Sequence, residues 1–226
     1  MDFFMNYYLL NGSPRKNKNT AKLLEAAKDG IQDTIKELKP DEEVNVEIIN
    51  LFSLNYKGCM SCFNCKLIDG PFYGQCPIND DLKDLLPKLW DSDGIIIASP
   101  IYFSDVTGQT RNLVERLSFP KLVYGGDSLQ TRKIPSAFFL TMNVTNELYE
   151  NYYAHIDPMM KTVMEVVTQE PHLLKAYNTV QFDDYSKYEN YIFSEEEKIQ
   201  YEKDNFQDTL NNAYNIGKEI AQKSLK

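Results

Sequence analysis

The 226-residue chain has no tract of clustered lysine and arginine, and its net charge is −9. Nucleic-acid binding needs a basic field against the phosphates, so the composition argues against that class of partner. No apolar run approaches the roughly 20 residues that cross a bilayer. The apolar opening "MDFFMNYYLLNG" lacks the basic region and small-residue cleavage site of an export signal. The expectation is a cytoplasmic protein with no membrane partner. Histidine is scarce: His155 and His172 are the two, and neither sits in a motif. The Gly-Lys-Ser/Thr of a P-loop is missing, which argues against nucleoside triphosphate hydrolysis, and so are the spaced glycines of a dinucleotide fingerprint. There is no internal repeat and no low-complexity linker, so residues 1–226 read as one domain.

What is present alternates. Phe3 to Leu10 is an apolar run of strand length. Thr20 to Leu38 puts Leu23, Leu24, Ala27, Ile31, Ile35 and Leu38 on one helical face, with Pro40 as a stop. Val44 to Leu51 is a second strand, and Asp81 to Trp90 a short helix. "GIIIASP" (Gly94 to Pro100) is apolar on both faces, as a central parallel strand should be. A helix over Thr107 to Leu117, a strand over Ile134 to Met142, a helix over Tyr153 to Thr168, a strand over Ala176 to Tyr185 and a long helix capped by Ser194 complete the series. This order predicts an α/β sandwich: five parallel strands in the flavodoxin-like order 2-1-3-4-5, helices on both faces, and a ligand site at the strand C-termini near strands 1 and 3.

The loop after the first strand, "NGSPRKNKNTAKLL", concentrates donors. Gly12 permits a tight turn. Ser13, Asn19 and Thr20 offer hydrogen bonds, Arg15 offers a fork for phosphate oxygens, and the helix after them presents free N–H groups. A single phosphate monoester, as on FMN, suits this loop better than a pyrophosphate. After the third strand, "SPIYFSDVTGQTRNLVERL" places Pro100, Ile101, Tyr102 and Phe103 in a loop at the same sheet edge, where exposed aromatics are costly unless they cover something flat. Pro100 is expected to end the strand ladder. Arg111, Glu115 and Arg116 on the following helix read as surface or subunit contacts.

All four cysteines fall within about 57–79, an insertion between the second strand and the second helix: Cys59-x2-Cys62-x2-Cys65, then ten residues to Cys76. Thiolates at such spacing can converge on an iron–sulfur centre. Zinc, a redox-active Cys-x-x-Cys pair and free thiols remain alternatives. With zinc, the chain would be a non-enzymatic flavodoxin-like binding module.

In order, "GSPRKNKNT", "GCMSCFNC…CPINDDL" and "ASPIYFSDVTGQTRNLVERL" resemble the NAD(P)H-dependent FMN reductase and iron–sulfur flavoprotein families, over roughly residues 3 to 145. The resemblance implies a non-covalent FMN and an oxidoreductase drawing on NAD(P)H, with hydride passing directly to the flavin and no catalytic side chain. It places the phosphate on Ser13, Arg15, Asn19 and Thr20, with Lys18 adding charge where many relatives have glycine. It places the ring against Pro100, Ile101, Tyr102 and Phe103, near Thr141, Met142, Asn143 and Val144. It also implies a [4Fe-4S] cluster on Cys59, Cys62, Cys65 and Cys76, a small-molecule or protein electron acceptor, and a homodimer or higher oligomer. The tyrosine-rich stretch from Tyr177 to Tyr201 matches no family motif.

Overall fold

The computed structural model describes residues 4–226. Along the chain come β1 (Met5–Asn11), α1 (Asn19–Leu38), β2 (Val44–Asn50), α2 (Leu85–Trp90), β3 (Gly94–Tyr102) and β4 (Asp105–Val106). Then follow α3 (Gly108–Ser118), β5 (Ser136–Thr141), α4 (Asn146–Tyr152), α5 (Ile156–Met164), β6 (His172–Ala176) and α6 (Glu195–Ser224). Five strands pair in parallel in the order β2-β1-β3-β5-β6, and β4 is a two-residue antiparallel arm on β3. With that arm set aside, this is the expected 2-1-3-4-5 sheet.

Alternating residues of the central strands enter two separate cores. Tyr8, Leu10, Ile95, Ile97, Phe138 and Leu140 pack with α2, α3 and α5 through Leu89, Leu113, Leu117 and Met160. Tyr7, Leu9, Ile96, Ala98, Ala137 and Phe139 pack with α1 and α6 through Leu24, Ile31, Ala213 and Ile220. Burial on both faces explains why these strands read as continuous apolar runs rather than alternating ones.

Several expectations need correction. The predicted strand start at Phe3 lies outside the described residues. Pro100 does not end β3: it pairs in register with Thr141, and the strand runs on to Tyr102. Ala98 O faces β1, accepting from Gly12 N–H, so Pro100 two residues later presents its missing N–H to the same side. β1 has already ended there, opposite Ala98, and no ladder bond is lost. The single helix expected over Tyr153 to Thr168 is instead α5, with α4 before it and a break at Tyr153–His155. Pro158 dictates this: its ring is tolerated in the first turn of a helix but not in the interior of one running through from Asn146. Pro87 likewise delays α2 to Leu85. The last strand is His172–Ala176, upstream of the expected Ala176 to Tyr185, because Asn178 turns left-handed (φ +48°) and takes the chain off the sheet.

Candidate functional site

The C-terminal ends of β1, β3 and β5 border a cavity of about 360 Å³, within the roughly 300–1,000 Å³ range of small-molecule sites. From the β1–α1 loop and the start of α1, Ser13, Arg15, Lys18, Asn19 and Thr20 line it. Pro100, Ile101, Tyr102 and Phe103 form a second wall, and Thr141, Met142 and Asn143 a third. Thus the twelve residues singled out from three separated motifs meet at one place. Val144 does not line the cavity; it packs against the core.

At one end the chemistry suits an anion. Lys18, at the N-cap of α1, supplies no capping acceptor, and the first turn carries no acidic residue. The N–H groups there lack intrahelical acceptors and carry the positive end of a 20-residue helix. Lys18 has φ −104°, ordinary extended backbone, so the position demands no glycine. Arg15 and Lys18 add two positive charges. Thr20 Oγ1 and Thr141 Oγ1 share a buried 2.9 Å hydrogen bond that ties α1 to β5.

Gly12 is required, but for a different reason from the expected turn. A Cβ there would stand 2.0 Å from Thr110 Oγ1 and 2.9 Å from Ala98 O. Beneath it, Thr107 caps α3, donates from Oγ1 to Gly12 O (2.8 Å), and receives the Thr110 N–H at 3.4 Å. Ser99 Oγ accepts from Thr107 N–H at 3.0 Å. These buried hydroxyls fix the β1–α1 loop, β3 and α3 to one another.

The aromatic wall is not the open loop expected. Tyr102 pairs with Asp105, so Phe103 and Ser104 are the two central residues of a tight hairpin, at φ +48° and +67°. Two-residue hairpins with both central φ positive favour Asn-Gly. Here a phenylalanine and a serine occupy those positions, and Phe103 is fully exposed at the cavity rim. A non-glycine residue in this region costs about 1–2 kcal/mol. His155, with Nε2 3.0 Å from Ser104 O, touches the hairpin from the α4–α5 break.

Sequence reasoning missed Thr179 and Gln181, which line the same cavity. Their segment crosses the phosphate-type loop: Arg15 Nη1 donates to Gln181 O (2.6 Å), Asn19 Nδ2 to Val180 O (3.0 Å), and Lys18 pairs with Asp183 (2.6 Å). Lys198 was missed as well. It is 2% exposed, and Nζ donates to Asn143 O at 2.6 Å and to Asn178 Oδ1 at 2.8 Å. Burial lowers its pKa to about 8. No motif marks these residues. The one available signal was aromatic density, and Phe182 does stack on Tyr188 at 4.0 Å, with Tyr185 edge-on.

The cysteine loop forms a second recess. Cys59, Cys62, Cys65 and Cys76 all line it, and its wall is apolar apart from residues Glu115 and Arg116 of α3. Cys59 N–H donates to Glu115 Oε2 (3.2 Å), and Lys66 donates to Phe119 O and Leu122 O. Burial pushes the Cys65 thiol up. Arg116 is not the surface contact expected: it is 1% exposed, and Nη1 donates to Asp80 Oδ2 (2.5 Å) and Lys57 O (3.2 Å). Burial opposes its charge, but Asp80 and the Cys76 sulfur beside it more than offset this, so its pKa moves up. Among the described residues, no three His, Cys, Asp or Glu side chains gather closely enough to hold a single metal ion. The four thiols border a small recess against α3.

Residues 5–143 match the family model described as NADPH-dependent FMN reductase. Among curated relatives, an iron–sulfur flavoprotein of Methanocaldococcus jannaschii is 35% identical over 107 residues, covering 47% of this chain and 49% of that protein. One from Archaeoglobus fulgidus is 36% identical over 112 residues, 50% of this chain and 48% of its own. The chain spans about half the length of the curated relatives it matches. Among solved structures, an NAD(P)H:quinone oxidoreductase from Methanothermobacter marburgensis superposes with a TM-score of 0.65 at 15% identity, covering 96% of this chain and 98% of that one. A flavodoxin from the domain Archaea gives 0.51 at 13% identity, covering 98% of this chain and 100% of its own. Such low identities bear on the fold.

Proposed function

The chain belongs to the NADPH-dependent FMN reductase family, and we propose that it is an FMN-dependent oxidoreductase, reduced by NADPH or NADH and reoxidised by a small-molecule or protein acceptor. One observation carries the reading. The uncapped start of α1, with Arg15 and Lys18, and the exposed aromatic hairpin of β3–β4 face one cavity of about 360 Å³. The residues fit FMN by the chemistry of their donors: a cationic, N–H-rich end for a phosphate monoester and a flat apolar wall for a ring.

When bound, FMN supplies a ring that accepts hydride and releases electrons. Everything else is the work of the chain. Arg15, Lys18 and the α1 N-terminus hold the phosphate and so fix the ligand's tail. Ser13 and Thr20 add hydroxyl donors beside it. Tyr102 and Phe103 would lie against the ring and shield it from water. Thr141, Met142 and Asn143 would bound the ligand from a further wall, with Lys198 holding Asn143 O in place from α6. Hydride transfer moves no separate proton, so that step would need no side chain as general acid or base; the further proton that a two-electron acceptor takes up would come from solvent. Family membership supports a nicotinamide reductant, and working as a homodimer in the cytoplasm belongs to the same proposal.

In this reading Cys59, Cys62, Cys65 and Cys76 hold an iron–sulfur cluster, which would supply one-electron transfer. Four thiols around an apolar recess, with a buried guanidinium in its wall, fit an anionic metal–sulfur centre in kind. α3 runs from beneath the β1–α1 loop, where Thr107 caps it and donates to Gly12 O, to the recess that Arg116 lines, about 13 Å further along its axis. The test is anaerobic mixing of FMN-loaded protein with NADPH or NADH, alongside iron and acid-labile sulfide assays. Bleaching of the flavin band by either nucleotide is expected. Failure of both to reduce a fully loaded protein contradicts the proposed activity.

A further inference from the structure

Arg116 is among the largest fully buried side chains, and among the described residues only its Nη1 has partners, Asp80 and the Lys57 carbonyl. Nε and Nη2 are buried with no hydrogen-bond partner among the described residues. Leaving a buried N–H unpaired costs about 1–3 kcal/mol, more for a charged group, and such groups ask for an explanation. The side chain lines the recess that Cys59, Cys62, Cys65 and Cys76 surround. An acceptor belonging in that recess would satisfy the two orphaned donors, and the thiol lining says that the acceptor is sulfur.

We propose that Arg116 is the positioning and charge-compensating residue of the cysteine-held centre: its Nε and Nη2 donate to cluster or thiolate sulfur, and its fixed positive charge favours the reduced state. This rests on the reading that the cysteines hold an iron–sulfur cluster. Hydrogen bonds to sulfur and net local charge are the protein's main means of setting such a potential, and a charge acts strongly where water is excluded. Asp80 acts in the opposite sense. Its carboxylate on Nη1 partly cancels the guanidinium, so the pair sets the potential by difference.

The test is reconstitution of the full chain with iron and sulfide under anaerobic conditions, then redox titration of the cluster by its visible and EPR signals. Arg116→Gln is expected to lower the reduced-to-oxidised ratio at a fixed potential about tenfold, a shift of about 59 mV for a one-electron couple. Arg116→Lys keeps the charge but loses the fork, so a smaller shift in the same direction is expected. Asp80→Asn is expected to move the potential the other way, which a merely structural role would not do. It also keeps the inference testable if Arg116→Gln fails to fold. Uptake of sulfide with equal potentials in wild type, Arg116→Lys and Asp80→Asn overturns the inference alone. A wild-type chain that incorporates no acid-labile sulfide overturns the cluster reading, and this inference with it.

Discussion

Replacing Phe103-Ser104 by Asn-Gly should stabilise the protein and weaken its ligand site at once. Both residues hold positive φ at the tip of the β3–β4 hairpin, where each costs about 1–2 kcal/mol relative to residues suited to that region. Asn-Gly is the pair this turn favours. Fully exposed as it is, the Phe103 ring contributes no packing that its loss would sacrifice. Relief of about 2 kcal/mol is therefore expected. With a urea slope of about 2–3 kcal/mol per molar, the unfolding midpoint of the ligand-free protein should rise by roughly 0.7–1 M, with the slope unchanged. The same double substitution removes an aromatic face from the cavity rim. If ring stacking is worth about 1–3 kcal/mol, as for bases on aromatic side chains, FMN affinity should fall roughly 5- to 150-fold. Strain stored at a binding site predicts this opposition of sign. An unchanged urea midpoint would refute the strain argument. A stabilised variant that binds FMN as tightly as wild type would show that Phe103 does not cover the ring.

Arg15→Ala should weaken FMN by roughly 10- to 150-fold, from about 1.5–3 kcal/mol for a charge-assisted hydrogen bond, and the loss should shrink in titrations at high salt. Gly12→Ala should lower stability by about 1–3 kcal/mol, because its Cβ would meet Thr110 Oγ1 at 2.0 Å; thermal melts should show a drop of roughly 2–4 °C per kcal/mol. Lys198 has a folded pKa of about 8 and an unfolded one of about 10.4. Between those values the unfolded chain binds more protons, so wild-type stability should rise with pH relative to Lys198→Met, by at most about 1.4 kcal/mol per pH unit. Parallel stability curves for the two proteins from pH 8 to 10 would contradict the burial of that charge.

Sheet order and the three motif clusters were legible because their signals are local and periodic. Doubly buried strands read as β-branched runs, and a loop dense in donors reads as an anion site. The misreadings have physical causes. Two prolines, Pro87 and Pro158, reset helix starts that apolar periodicity alone would extend. Pro100 sits harmlessly in the central strand because β1 stops short of it, a fact of register invisible in the chain. The hairpin at Phe103-Ser104 has none of the residues its turn favours, so sequence chemistry pointed away from it. Arg116 looked like one of several charges on a surface helix. Only the packing of the cysteine loop over α3 buries it, and Thr179, Gln181 and Lys198 reach their positions through equally long-range contacts.

The central claim is that one rim cavity grips a flat ring by one wall and its single phosphate by another. Fluorescence titration of the purified chain with FMN and, in parallel, with riboflavin separates those two grips. The account predicts quenching that saturates at one FMN per chain, with riboflavin, which lacks the phosphate, binding at least about tenfold more weakly. Absence of saturable quenching, or equal affinity for the two flavins, would contradict it.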